Sequence, residues 1–380
     1  MTEQHEHHQH PIGEPLAQEA DALINPDMPV EVPPPEQMSL LGRLRQPRTI
    51  LSIGVPLAII VIALYLNRAS LEEVPGYISH ANPLFLLAAF VIYYCGFPLR
   101  GHRWATLLKG AGYRVSTKDA TEILFLSWLV NCVVPAKLGD VYRAYLLKLN
   151  SPVSATRTLG TVFIERILDL FAIAVLGLAA GYIRFRGSLG DLPVGVQVIF
   201  ALGVAIVVLM AVGLIVLRNF GHRLMARLPL PARAVELYER FEEGVFNSVG
   251  LKGLPWLGLL TVLIWGTEAL RLYFVIQALG FSDLHLGLSG VMFVALIGSL
   301  LTAVPLTPAG LGAVEGGVWA VLVTVFAVAG SQATAILLID RTISVFSIVV
   351  LGSIAYVLSS KPRGGGMKVE EIALRKAPTG

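Results

Sequence analysis

Eight charged side chains stand inside or beside otherwise apolar runs: Glu165, Arg166 and Asp169; Glu268 and Arg271; Glu315; Asp340 and Arg341. A charge near the centre of a membrane helix costs roughly 2.5–3.5 kcal/mol on insertion scales, so such groups are normally paired or line a pathway. Glu268 and Arg271 are three residues apart and can pair along one helix face; read alone, that pair could serve packing geometry without being a site. Glu165-Arg166 and Asp340-Arg341 are sequence neighbours and must find partners elsewhere. The expectation is that Arg166 reaches Glu315 or Asp340, and that Arg341 reaches Asp140 or Glu165. Gathered in one place, these groups would neutralise an anion, and Asp140, Glu165, Glu315 and Asp340 are candidates for carrying protons.

Two Pro/Gly breaks supply the second ingredient, Pro135-Ala-Lys-Leu-Gly139 and Pro308-Ala-Gly-Leu-Gly312. Pro135, Pro305 and Pro308 end the entering helices, and Gly139, Gly310 and Gly312 allow tight turns. A helix that starts after such a break presents free N–H groups and a positive dipole end, a seat for phosphate. Asn131, Lys137, Arg143, Arg100 and Arg103 add donors nearby. Glycines also permit close helix packing, but packing alone does not require the prolines and Thr307 beside them.

The elements that must position these groups come in two copies. Leu99-Arg100 returns as Leu270-Arg271, Pro135 as Pro308, and Phe163-Ile-Glu-Arg166 as Leu338-Ile-Asp-Arg341, at separations of 171, 173 and 175 residues. Repeats of opposite membrane orientation are a transporter signature, with the working site at their junction. Composition agrees: the 380 residues are 55% hydrophobic and 14% charged, against about 25% charged in a soluble domain. Mean hydropathy is +0.70. Six stretches are long enough to cross roughly 30 Å of hydrocarbon: Ile50–Leu66, Pro83–Leu99, Leu159–Ile183, Val194–Leu217, Leu254–Leu279 and Thr334–Leu358. Residues 119–150 are too short and too charged to cross twice, and read as a re-entrant hairpin entering from the cytoplasm. Leu288–Ala329 is its counterpart, a second hairpin or a pair of short spans.

Basic residues check the layout. With the N-terminus inside, Lys and Arg collect in cytoplasmic segments 43–48, 100–118, 137–157, 218–252 and 361–376. The outer loops hold only Arg68, Arg184 and Arg186. Each half then has three spans, and three is odd, so the second half is inverted. The expected fold is an all-α polytopic membrane protein of two inverted-topology repeats, residues 47–190 and 191–360, each with three spanning helices and a re-entrant helical hairpin. Both termini are cytoplasmic. Segment 218–252 has the spacing of an amphipathic interfacial helix touching anionic headgroups, or is a plain connector. Residues 1–46 and 361–380 read as disordered tails.

The remaining features are bland. His5, His7, His8 and His10 could bind a metal, but no second ligand cluster accompanies them, so no metal site is assigned. Cys95 and Cys132 lie in apolar runs and read as packing residues. No cleavable signal, nucleic-acid module or G-x4-G-K-[ST] loop is present, so no cofactor, nucleic-acid partner or ATP hydrolysis by this chain is expected.

The pattern Asn131-x3-Pro135-x-Lys137-x-Gly139-Asp140-x2-Arg143, with Glu165-Arg166-x2-Asp169 and Pro305-x-Thr307-Pro308-x-Gly310-x-Gly312-x2-Glu315, resembles the lysylphosphatidylglycerol synthase transmembrane-region family. These are also called flippase-like domain proteins. The resemblance covers about residues 50–358. The family's first motif often reads Arg-x-Gly-Glu where this chain has Lys137-x-Gly139-Asp140. Membership implies a lipid-translocating module, here expected without the soluble synthase domain; some relatives look connected with isoprenoid-phosphate glycolipids and glycosyl transfer. The expected function is a flippase or exporter of a phosphate-bearing lipid in the cytoplasmic membrane, rather than an enzyme. The alternatives are a membrane-embedded transferase on a lipid phosphate, or a non-catalytic partner of a separate lipid synthase or glycosyltransferase; a homo-oligomer is compatible with either. His80, His102, His222 and His285 do not cluster with carboxylates in the sequence, so no general base stands out.

Overall fold

The computed structural model describes residues 72–134, 137–185, 194–227, 231–281, 284, 286–303, 307–365, 367–368 and 370–371. The expected tail 1–46, its histidines and the first span at Ile50–Leu66 lie outside the described residues. After a short α1 (Val74–Ser79), α2 (Pro83–Gly110) starts where the Asn82 side chain accepts the Leu84 N–H, with Pro83 at the position that tolerates a missing donor. Its 28 residues make a rod of about 42 Å. It therefore runs well past the expected end at Leu99, because Arg100 and Arg103 find their partners inside the protein.

Ser116 caps α3 (Thr117–Val133) by accepting the Asp119 N–H, and a break leads into α4 (Leu138–Asn150). Ser154 likewise caps α5 (Ala155–Arg184). Then follow α6 (Val194–Arg227), α7 (Ala232–Asn247) and α8 (Leu254–Ala278). The second break separates α9 (Gly287–Ala303) from α10 (Ala313–Thr324), with one 3-10 turn at Pro308–Gly310. α11 (Gly330–Arg341) continues through a π turn, Thr342–Phe346, into α12 (Ser347–Leu358). Among the described residues, α2, α8, the Gly203–Gly221 part of α6 and the joined α11–α12 are long and apolar enough to cross a membrane. α5 is 30 residues long but carries Glu165, Arg166 and Asp169. The chain is an all-α, multi-pass membrane protein.

The packing order repeats. α2 and α8 pack on each other at the centre; α3 packs on α2 as α9 packs on α8, α4 on α5 as α10 on α11, and α5 packs on α9 while α12 packs on α3. Polarity is arranged inside out. Large apolar side chains such as Leu84, Leu209, Val212 and Ile354 are exposed, whereas Arg100, Arg103, Arg143, Glu165 and Glu268 are buried. A surface of that kind is stable against hydrocarbon and costly against water.

Contacts sort the helix ends into two groups. At one end Lys361 pairs with Asp119 at 2.8 Å while its carbonyl accepts from Asn150 Nδ2, and Arg157 pairs with Glu243. At the other end the Asn82 N–H donates to Ala278 O, Ser331 donates to Glu73, and the rings of Phe185, Phe293 and Phe326 cluster.

Two expectations need correction, on the end of the chain and on Cys95. Among the described residues the end is not a loose tail: the Met367 N–H donates to Asn150 O, and Glu370–Glu371 (β2) pairs antiparallel with Tyr113–Arg114 (β1). Segment 218–252 is divided between α6, which carries on to Arg227, and α7, which packs on α5. That packing is close: a Cβ on Gly160 would lie 2.4 Å from Phe241 O, and one on Gly244 2.0 Å from Arg157 O. Cys95 is exposed and so is not a buried packing residue, whereas Cys132 is partly buried, packs against the core as expected and also lines a cavity.

Candidate functional site

Most of the charged groups singled out from the sequence line one cavity of about 200 Å³; Asp140, Arg143 and Glu315 do not line it and reach it only through their partners Arg166, Glu165 and Arg341. A single water needs about 10–15 Å³ on the same kind of measure, so the space admits a hydrated polar group. Both breaks reach it, the first through Asn131 and Lys137, the second through Thr307, Ala309 and Gly310.

On the first-break side, Arg103 of α2 grips Asp169 of α5 with two N–H···O bonds (2.7 and 3.1 Å), and also donates to Glu165 (3.2 Å) and Thr261 (3.0 Å). Arg143 of α4 donates to Glu165 Oε2 at 3.1 Å, with its guanidinium 4.7 Å from the Trp104 ring centre. Arg166 donates from Nε and Nη2 to the two oxygens of Asp140, both at 2.9 Å. Glu165 and Arg166, neighbours on α5, thus take different partners, Arg103 and Arg143 for the one and Asp140 for the other, as adjacent helical positions must.

On the other side, Glu268 takes Arg100 Nη2 at 2.6 Å and also accepts from Arg271, the local pair expected from their spacing. Arg271 further holds Asp340 through Nε (2.8 Å) and Nη2 (3.2 Å), and stacks on Tyr93 at 5.0 Å. Arg341 donates from Nε to Glu315 (2.6 Å) and from Nη2 to Ala309 O (2.8 Å). Glu315 also accepts the Gly312 N–H at 2.6 Å.

The expected cross-pairing is overturned. Arg166 does not reach Glu315 or Asp340, and Arg341 does not reach Asp140 or Glu165. Each arginine instead folds back on its own break, onto a carboxylate 26 residues upstream. The reason is packing: α4 lies on α5, and α10 on α11.

The breaks also differ from expectation in detail. Gly139 does not adopt a left-handed backbone; that conformation falls on Lys137 (φ 52°). Gly139 is needed because a Cβ there would stand 2.1 Å from Ser127 O, and its N–H is already taken by Asn131 Oδ1 at 2.8 Å. Asn131 therefore serves the break as an acceptor. Gly310 and Gly312 do take positive φ (71° and 86°), and Ala309 between Pro308 and Gly310 is left-handed too. Thr307 spends its hydroxyl on Leu311 O at 2.8 Å. The N–H groups of Gly139 and Gly312 are thus committed to Asn131 and Glu315, and are not open seats for phosphate. Pro135 and Pro305 lie outside the described residues.

Sequence reasoning missed the aromatic wall. Trp128 lies 5.0 Å from the Arg100 guanidinium, and Trp265 Nε1 donates to Asp169 at 3.3 Å. The spacing Thr261-x3-Trp265-x2-Glu268-x2-Arg271 puts these polar groups on one face of α8. Tyr93 closes the other side, donating its hydroxyl to Ser344 O in the π turn at 2.9 Å.

An apolar-surfaced helical bundle enclosing a cavity of paired charges defines a multi-pass membrane protein with an internal polar site. The chain belongs to the family described as the lysylphosphatidylglycerol synthase TM region, which it matches over residues 50–352. It is 37% identical over 231 residues to the UPF0104 membrane protein MJ1078 of Methanocaldococcus jannaschii, covering 60% of this chain and 93% of that one. A UPF0104 membrane protein of Methanothermobacter thermautotrophicus is 27% identical over 293 residues, 72% of this chain and 83% of the relative. Glycosyltransferase AglD of Haloferax volcanii is 26% identical over 352 residues, 85% of this chain and 56% of AglD, so the chain spans little more than half of that relative's length.

Proposed function

We propose that the protein is a lipid flippase or exporter, passing a phosphate-bearing headgroup through the cavity while the acyl chains stay in lipid. One observation carries this reading: both helix breaks contribute to a single charge-lined cavity inside a bundle whose outer surface is apolar. Irregular backbone at membrane depth is tolerated only where it is buried or lines a polar space. The service rendered is removal of the headgroup's desolvation cost in hydrocarbon.

In this reading α3–α4 and α9–α10 are re-entrant hairpins dipping from opposite sides, and residues 47–190 and 191–360 are inverted repeats. Support comes from the matched packing order and from Lys361, which touches both the start of α3 and the end of α4. The end bearing Lys361, Asp119 and Arg157 also gathers most of the basic residues, which supports a cytoplasmic placing of that end, and with it of both termini, in a cell membrane. Arg100, Arg103, Lys137, Arg166, Arg271 and Arg341 are the groups that meet the headgroup, and each of these arginines is paired with a carboxylate.

The test is reconstitution in liposomes with a labelled phospholipid. Transbilayer movement that falls to background in Arg166→Ala and Arg341→Ala supports the reading; intact protein without movement sinks it. The name of AglD favours a second reading, in which the membrane part works beside glycosyl transfer on an isoprenoid-phosphate lipid, with a separate transferase as partner. Chemical conversion of the labelled lipid in the same liposomes would argue instead for a transferase.

A further inference from the structure

The charges that line the cavity, taken together with the groups they pair with, do not cancel. Six arginines each have a carboxylate within 4 Å: Arg100, Arg103, Arg143, Arg166, Arg271 and Arg341. The acids that serve them are also six: Asp140, Glu165, Asp169, Glu268, Glu315 and Asp340. The first break adds Lys137, which lines the cavity and has no carboxylate within 4 Å among the described residues. The group is left with one surplus positive charge.

The two breaks are unequal in this respect. The position 173 residues after Lys137 is Gly310, which shares its left-handed backbone (φ 71° against 52°) and carries no charge. Holding a lysine in that conformation costs roughly 1–2 kcal/mol, a cost that a glycine would avoid. Arg100 lines the same cavity from the other side, 4% exposed and paired with Glu268.

We propose that Lys137 selects headgroups bearing one net negative charge, a phosphodiester with no cationic group of its own, with its ammonium taking the phosphate. The proposal rests on the lipid-moving reading and narrows its substrate class. An ammonium is a point charge that binds phosphate without demanding a planar, two-pronged partner. A monoanion brings the chamber to neutrality. A doubly ionised phosphomonoester overshoots it, and a zwitterion leaves the surplus in place while bringing a cation towards the arginines. Two lipid classes share a phosphodiester with one net negative charge: phosphatidylglycerol and an isoprenyl phosphoryl sugar.

Cys132 lines the same cavity and Cys95 is exposed, so full-length Cys95→Ser protein carries a single thiol inside the site. In phosphatidylcholine nanodiscs, the rate of Cys132 modification by a methanethiosulfonate reagent is measured with added phosphatidylglycerol, isoprenyl phosphoryl hexose, phosphatidylethanolamine or phosphatidic acid. An anionic phosphodiester should slow the reaction by about fivefold, a modest binding preference of roughly 1 kcal/mol, and whichever of the two does so names the source. Lys137→Gln should remove the protection and Lys137→Arg should keep it, with unprotected rates matching the parent as proof of fold. Equal protection by phosphatidylethanolamine or phosphatidic acid, no protection by either anionic phosphodiester, or full protection in Lys137→Gln overturns the proposal. Protection without transbilayer movement sinks the flippase reading alone; movement of all lipids alike sinks only the selectivity.

Discussion

Arg166 holds Asp140 by both oxygens, Nε to Oδ2 and Nη2 to Oδ1, at 2.9 Å each. The bond ties the middle of α5 to the first turn of α4 and so fixes where the first break sits. Arg341 does the same for the second break through Glu315, at the same separation in sequence. The arginines are clamps on the breaks before they are anything else, and an arriving anion competes with carboxylates already in place.

Removing one side of the clamp leaves a charge without its partner. Arg166→Ala should cost about 2–3 kcal/mol, below the 3–5 of fully buried pairs, because the Arg166 side chain is 28% exposed. Chemical unfolding in mild detergent measures this. Arg166→Lys should recover part of the stability but not the two-pronged geometry, and the double variant Arg166→Ala/Asp140→Ala should be more stable than Arg166→Ala alone.

Lys137 and Gly139 should respond in opposite directions. Lys137→Gly relieves a left-handed side-chain residue and should raise stability by about 0.5–1 kcal/mol while abolishing lipid movement. Gly139→Ala drives a methyl against Ser127 O and should lower both. Thermal unfolding and the liposome assay, run on the same preparations, separate the two cases.

Tyr93 links α2 to the π turn. Tyr93→Phe keeps the ring under Arg271 and loses only the hydroxyl bond to Ser344 O, so about 1 kcal/mol of stability should go. Tyr93→Ala also opens a cavity in the core and should cost about 3–5 kcal/mol. A Tyr93→Phe variant as damaged as Tyr93→Ala would refute this division.

At the opposite end from Lys361, hydrogen bonds from Ser331 and Tyr77 hold the Glu73 carboxyl below its usual pKa. Its folded value lies below its unfolded one, so the link between α1 and α11 is at full strength above an unfolded pKa of about 4.3. It is lost as pH falls through the folded value. Amide exchange of residues 74–80, corrected for intrinsic rates, should therefore quicken on acidification below about pH 4. Glu73→Gln should remove that pH dependence.

The breaks and the buried charges were legible because Pro, Gly and ionised groups are conspicuous in apolar runs. The pairing of those charges was not, since like residues recur in both halves and either copy offered Arg166 a carboxylate. A usable signal existed in the equal spacing of Asp140 to Arg166 and Glu315 to Arg341. Trp128, Trp265 and Tyr93 were hidden for the opposite reason: aromatic rings do not stand out among other large apolar residues. Nothing in the sequence marks Lys137 as left-handed, because backbone strain at a lysine is imposed by its surroundings rather than by its type.

Where Gly160 meets Gly244, two backbones touch with no side chain between them. α7 and the lower part of α5 must therefore travel as one rigid piece, and α5 bears Glu165, Arg166 and Asp169. Glu236 and Glu239 on α7 remain exposed. An antibody fragment raised to that acidic face would grip the chamber wall from outside without obstructing it, giving a handle for imaging the wall in different lipid-loaded states.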